Sequence, residues 1–305
     1  MKYIIVCGPT GSGKTSLGIQ IALRYNGEVI NADSRQIYKH TNIGTAKPTP
    51  DECLRVKHHL IDILELHEKF SAFRFASLAK DLINDITDRN KLPIIVGGTG
   101  LYLKAITEGL FKAPEPDEEY RRELEQICQQ DGPEKLHRML AVIDPASAEK
   151  INPRHSSRLI RAIEIYKLTG KPISEIQKNG DYRKTGKPLW LGLMPARDIL
   201  YNRINKRVDD MIDAGFEQEV LNLKPFLDVL RKKKMVGYND MISYLFDKNI
   251  DKDQTINKIK QRHRNYAKRQ ITWFRKVKNI RWFDSTKKDY ANIIYKICDK
   301  YLKKT

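Results

Sequence analysis

Cysteine is scarce in this 305-residue chain: Cys7, Cys53, Cys128 and Cys298 stand far apart, and no two share C-x-x-C spacing. That scatter argues against a disulfide framework or a zinc site built on cysteine pairs, and fits inert thiols in a reducing compartment. Long hydrophobic runs are missing as well. No apolar stretch approaches the ~20 residues that span a bilayer, so no membrane partner is expected. The amino terminus carries one lysine and a short apolar run that passes straight into glycines, which reads as a first strand rather than a secretory signal. Together these absences point to the cytoplasm, and nothing implies a protein partner. Repeats and long low-complexity segments are also lacking. Acidic residues are in deficit: 38 Asp and Glu face 56 Lys and Arg, a formal net charge of +18. Such an excess favours a polyanionic partner, nucleic acid first and an acidic membrane surface second, although a basic surface with no such partner gives the same sum. Hydrophobic residues at 40% and charged residues at 31% make an ordinary soluble composition, with enough chain for one large or two smaller domains.

What is present begins at "GPTGSGKT", Gly8, Pro9, Thr10, Gly11, Ser12, Gly13, Lys14 and Thr15, directly after the apolar run Tyr3-Ile4-Ile5-Val6-Cys7. The pattern G-x-x-x-x-G-K-[ST] between a strand and a helix is a phosphate loop, whose backbone N–H groups cradle a phosphate chain. Lys14 neutralises phosphate oxygens in such a loop, and the Thr15 hydroxyl reaches a bound Mg²⁺. The default ligand is ATP or GTP. The neighbouring stretches do not complete a nucleoside triphosphatase, however. A strand ending in aspartate is required, whereas "PIIVGGTG" ends in glycines and a threonine. Asp62 in "LIDIL" is a substitute without an acidic partner, inside a short run.

Periodicity organises the rest. "KTSLGIQIALRY" reads as a helix, "GEVINAD" as a strand ending on Asp33, and "HHLIDIL" as a possible third strand. "FSAFRFASLAKDLINDITDRN" is a helix with a serine near its start, and "KLPIIVGGTG" a strand with a glycine turn. Strands alternating with helices predict an α/β fold, a parallel sheet flanked by helices on both faces. Its ligands bind at the carboxyl ends of the strands, where residues 8–15, Asp33 and residues 97–100 all fall. After Phe111 the texture changes. Residues 114–187 read as a mainly helical insertion, helical from about 117 to 170 and loop-rich from 169 to 188. The core is then 1–113 with 188–305: "LWLGLMP" rejoins the sheet, and the chain from Ala196 reads as helices ending in basic ones.

Several charged stretches carry chemistry with an ordinary alternative beside it. Asp33 at a strand end suits a general base, a helix cap or a metal ligand, and its place opposite the phosphate loop favours function. Arg203 and Arg207, four apart on one helix face, can clamp a diphosphate or pair with Asp209, Asp210 or Asp213. Arg158, Arg161 and Glu164 read as a solvated helix ending at Gly170. From Gln254 to Arg281 there are ten Lys or Arg and no acid, with Tyr266, Trp273 and Phe274 interleaved. Charge so one-sided favours a phosphate backbone.

In chain order, "GPTGSGKT", "NADSRQIYKHTNIGTAKPT", "HHLIDI", "FSAFRFASLA", "PIIVGGTGLYLKAI", "SSRLIRAIEIYKLTGKP", "MIDAGFEQEV", "VGYND" and "AKRQITWFR" resemble the tRNA dimethylallyltransferase family over nearly the whole chain. The middle blocks are more specific than the phosphate loop, because general triphosphatases lack them. The resemblance implies that the loop holds the diphosphate of dimethylallyl diphosphate, with Mg²⁺, which accounts for the missing strand-end aspartate. It implies an acceptor, the N6 amine of adenosine 37 beside the tRNA anticodon, turned out of its loop to be reached. Asp33 then takes or orients the amine proton, with Thr99 near the reacting atoms and Lys14 and either Arg203 or Arg207 on the diphosphate. By the same resemblance Ser34, Arg35 and Gln36 touch the adenosine and its neighbours. Arg121, Ser157, Arg158, Leu159, Ile160 and Arg161 contact tRNA, and the insertion closes over the anticodon stem-loop. Arg35 stands where many relatives have a neutral residue. The absence of metal spacing near Cys298 implies a bacterial-type enzyme. Two rivals are prenylation of free AMP or ADP, which needs neither the insertion nor the basic run, and an RNA-binding ATPase or kinase, which needs the missing aspartate.

Overall fold

The computed structural model describes residues 1–179, 185–247 and 251–303. The first part of the chain runs β1 (Ile4–Cys7), α1 (Lys14–Arg24), β2 (Gly27–Asn31), α2 (Pro50–Arg55), β3 (His58–His59), α3 (Ala72–Asp88), β4 (Leu92–Gly97) and α4 (Gly100–Glu108). Five helices follow, α5 (Glu118–Asp131), α6 (Pro133–Ile143), α7 (Pro145–Lys150), α8 (Ser156–Thr169) and α9 (Ile173–Asn179). The chain then continues as β5 (Leu189–Leu193), α10 (Arg197–Asp213), α11 (Phe216–Asn222), α12 (Leu227–Lys233), α13 (Tyr238–Phe246), α14 (Lys252–Phe274), β6 (Arg281–Phe283) and α15 (Tyr290–Lys303). It divides into two compact units, Met1–Thr107 with Lys184–Thr305, and Glu108–Arg183.

In the first unit six strands form a parallel sheet in the order β3-β2-β4-β1-β5-β6. Period-2 alternation sends Ile4 and Val6 of β1 to one face and Ile5 and Cys7 to the other. The first pair joins Leu17 and Ile21 of α1 and Ile294 of α15. The second pair's face holds Phe75 and Ile83 of α3 and Phe274 of α14. Both faces being covered, β1, β4 and β5 are apolar throughout, as buried parallel strands require. The Ser71 hydroxyl caps α3 by accepting from the Arg74 N–H, a contribution of about 1 kcal/mol. A third cluster, built on Val208, Phe216, Tyr238 and Ile259, binds α10 to α14 into a helical layer. The second unit has a core of its own around Leu124, Leu136, Leu140 and Leu159.

Three local expectations are corrected. The strand expected in "HHLIDIL" stops after His59, because Leu60 and Asp62 have φ of 62° and 54°, left-handed values that break a ladder. The all-helical reading after Ala196 misses β6, three residues paired with β5 and too short to show a period. The loop-rich reading of 169–188 misses α9, while 180–184 lie outside the described residues.

Candidate active site

The carboxyl ends of β1, β2 and β4 open into one crevice of about 1000 Å³, mouth included. The phosphate loop forms its floor. Gly8, Gly11 and Gly13 take φ of 145°, 79° and 93°, which lets successive amides turn inward ahead of α1. Lys14 folds back so that its Nζ donates to the Pro9 carbonyl at 2.7 Å. Burial and the neighbouring Arg207 guanidinium lower its pKa to about 8. Lys14 and Arg207 form no ion pair among the described residues, and both face a place suited to a phosphate.

Opposite the loop, Asp33 sits just past the end of β2. Its Oδ1 accepts the Arg35 N–H at 2.8 Å, which sets the turn and leaves Oδ2 for the crevice. The β2 and β4 ends are tied together there: Ala32 N–H donates to the Val96 carbonyl at 2.8 Å, and Ser34 N–H to the Thr99 hydroxyl at 3.0 Å. Asp33, Ser34, Arg35 and Gln36 therefore meet Gly97 and Gly98 in one place.

The two arginines of α10 part company. Arg207 lines the crevice, and its Nη1 donates to the Thr10 hydroxyl at 3.1 Å. Arg203 donates instead to the Ser285 hydroxyl at 3.0 Å, which in turn donates to the Ser12 carbonyl at 3.0 Å. Arg203 braces the back of the loop while Arg207 points into the crevice. Asp62 is excluded as a strand-end carboxylate for the site, since it pairs with Lys47 on the β2–α2 segment.

Sequence reasoning missed the contribution of α14. His263, Tyr266 and Gln270 recur at three- and four-residue steps on one face of that helix, and all three line the crevice. The run was legible as charge, and its spacing was the signal that would have found the face. Gln270, 6% exposed, accepts the Thr10 N–H at 2.8 Å and donates to the Gly98 carbonyl at 3.0 Å. It clasps the phosphate loop to the glycine turn. A Cβ at Gly98 would lie 2.2 Å from the Gln270 amide nitrogen, so a larger residue there would push the clasp aside. Burial and Arg207 lower the pKa of His263 to about 4, so this imidazole is neutral. Lys234, Met235 and Val236, from the stretch between α12 and α13, complete the wall.

The basic run itself is not uniform. Lys258 and Arg262 lie 3.5 Å from Asp240, and Lys260 lies 2.6 Å from Asp209, so the first half of α14 is neutralised by neighbouring helices. Lys268, Arg275, Lys276, Lys278 and Arg281 are exposed and, among the described residues, have no acidic partner.

The second unit holds the remaining residues expected to contact RNA. Ser157 and Arg158 are exposed. Leu159 and Ile160 are 0% and 8% exposed in that unit's core and offer no side-chain surface to a partner. Arg121 and Arg161 both engage Glu164, itself 0% exposed, with Arg121 Nε at 2.7 Å. The solvated helix read from the sequence is thus a buried carboxylate held by two arginines.

A family model described as IPP transferase matches residues 36–277. The tRNA dimethylallyltransferase of Geobacillus thermodenitrificans is 46% identical over 287 residues, 93% of this chain and 91% of that protein. This chain belongs to the tRNA dimethylallyltransferase family. The tRNA dimethylallyltransferase of Finegoldia magna is 46% identical over 99% of this chain and 97% of its own. Among solved structures, the tRNA isopentenylpyrophosphate transferase of Bacillus halodurans is 39% identical, with a TM-score of 0.66 over 99% of this chain and 98% of that one. A eukaryotic dimethylallyltransferase acting on tRNA is 30% identical, with a TM-score of 0.80 over 99% of this chain and 79% of that one. As a tRNA dimethylallyltransferase family member, this chain carries the family's α/β parallel-sheet fold.

Proposed function

We propose that this chain is a prenyltransferase that moves a dimethylallyl group from dimethylallyl diphosphate to the N6 amine of adenosine 37 in tRNA. The observation that carries the reading is Asp33, the carboxylate past the β2 end, facing the phosphate loop across a crevice where β4 runs into Gly97 and Gly98 rather than an aspartate. Dimethylallyl diphosphate places its two phosphates on the loop amides, Lys14 and Arg207, and its C1 between them and Asp33. The N6 lone pair attacks C1, the C1–O bond breaks, and the oxygen leaves with the electron pair as diphosphate. The amine proton passes to Asp33. Charge grows on the leaving oxygens, so preorganised amides and cations there lower the barrier more than they tighten the substrate. Tyr266 lines the far wall, while Thr99, outside the lining, anchors the Ser34 N–H that sets the neighbouring turn.

A magnesium ion fits this site. The Thr15 hydroxyl offers an oxygen beside the loop, while the described residues hold no cluster of three acidic, histidine or cysteine ligands. That set suits an ion held largely by phosphate and water. When bound, it would supply further positive charge to the leaving diphosphate.

Among the described residues no helix is long and apolar enough to cross a membrane, and a tRNA acceptor favours a cytoplasmic enzyme. Labelled dimethylallyl diphosphate, offered with Mg²⁺ and either undermodified tRNA, AMP or no acceptor, tests the reading. Label on tRNA adenosine alone supports it. Label on AMP keeps the chemistry and moves the acceptor, and ATP hydrolysis without transfer overturns it.

A further inference from the structure

The wall between β2 and α2 is held from outside the crevice. Residues 42–46 separate two cavities: Gly44 and Thr45 line the crevice, whereas Asn42 and Ile43 line an outer groove together with Glu219 of α11. The Glu219 carboxylate takes four donors. Its Oε2 accepts the Asn42 and Ile43 N–H groups, each at 2.7 Å, and its Oε1 accepts the Gly44 N–H at 3.1 Å and the Tyr238 hydroxyl at 2.7 Å. Three consecutive amides on one carboxylate fix a short segment as firmly as a sheet ladder would.

That segment then presents two carbonyls inward. The Gln36 amide nitrogen donates to Thr45 O at 3.0 Å and to Ala46 O at 2.9 Å, and the Arg207 guanidinium lies 3.4 Å from Ala46 O. Ala46 achieves this at φ 49°, a conformation an alanine avoids unless its surroundings impose it. Gly44 leaves no slack, since a Cβ there would lie 2.2 Å from the Phe216 ring. A carboxylate outside the crevice thus decides where two crevice side chains stop.

We infer that Glu219 is a positioning residue for prenyl transfer, acting through the amides of 42–44 and the carbonyls of 45 and 46 to aim Arg207 and Gln36. The inference rests on the reading above that Arg207 grips the diphosphate. Gln in place of Glu219 keeps the size and removes the double acceptor, so the segment relaxes and Arg207 loses a carbonyl partner.

The test is calorimetric binding of inorganic diphosphate, with Mg²⁺, to the full chain. Glu219→Gln is expected to raise the Kd about tenfold, the size of one lost anchoring interaction. It should raise the KM for dimethylallyl diphosphate more than it lowers kcat. Ile259→Val, which trims the helical-layer core and removes no hydrogen bond to the segment, should leave the Kd unchanged. An unchanged Kd in Glu219→Gln, or an equal loss in Ile259→Val, overturns the inference. Should Glu219→Gln fail to fold, hydrogen exchange on the wild-type chain decides: Ile43 and Gly44 amides as protected as the sheet support it, and exchange at loop rates overturns it. A wild-type chain that binds no diphosphate overturns the crevice reading as well, so the two failures are distinguishable.

Discussion

In the proposed reaction Asp33 would take the amine proton on one oxygen while the other keeps its turn. Asp33→Asn retains an acceptor for the Arg35 N–H and removes the basic oxygen, so it separates the two jobs. We expect prenyl transfer to fall by ~10²–10⁴-fold, with inorganic diphosphate and tRNA still bound. Single-turnover transfer beside calorimetric binding checks this, and near-normal turnover would remove the role. Lys14 makes a second prediction. Its pKa of about 8 in the free chain must rise when a diphosphate arrives, so binding takes up a proton above pH 8. The Lys14 contribution to diphosphate affinity should be flat below pH 8 and weaken by up to ~10-fold per unit above it, a fall that Lys14→Arg should flatten. For stability the sign is opposite. Unfolded Lys14 binds its proton more tightly, so its burial costs stability fully below pH 8, and the cost fades as pH rises toward 10.5.

At the scale of elements, α14 is two helices in one. Its inner face holds His263, Tyr266 and Gln270 in the crevice, and its outer face changes from paired to unpaired cations along its length. Lys268→Ala and Arg275→Ala should each reduce the slope of log K for tRNA against log salt by about 0.7–0.9, while Lys260→Ala, already paired with Asp209, should leave it. Filter binding between 50 and 300 mM salt measures the three slopes, and equal effects would mean the pairing is irrelevant. Strands β1, β2, β4 and β5, the α3 cap and the phosphate loop were legible in the sequence because they depend on neighbours within a few residues. The choice between Arg203 and Arg207 was not legible. Both lie on one helix face, and only the distant Ser285 and Thr10 separate them. Gln270 was hidden for the same reason: its partners, Thr10 and Gly98, are over a hundred and seventy residues away.

For the whole molecule, the proposed contacts fall in different compact units: every crevice-lining residue belongs to the first, and exposed Ser157 and Arg158 belong to the second. Arg158→Ala should therefore weaken tRNA binding severalfold and lower its salt dependence, while inorganic diphosphate binding stays at the wild-type value. Titrating both ligands against one variant checks it, and a loss of diphosphate binding would show that the units do not separate these tasks. The net charge of +18 made RNA plausible from the start, but buried Glu164 shows how much of a basic surface is spent holding itself together.

The clasp made by Gln270 also has a meaning in time. A ribosome delivers the phosphate loop within the first 15 residues and the β4 turn by residue 100, long before α14 exists. The two halves of the crevice must wait for a residue near the far end of the chain, across all of the second unit's synthesis. Pairings so distant in sequence are the slow ones to close. The glycine turn and the loop are thus made early and joined late, so no nascent chain shorter than about 270 residues can hold the complete grip.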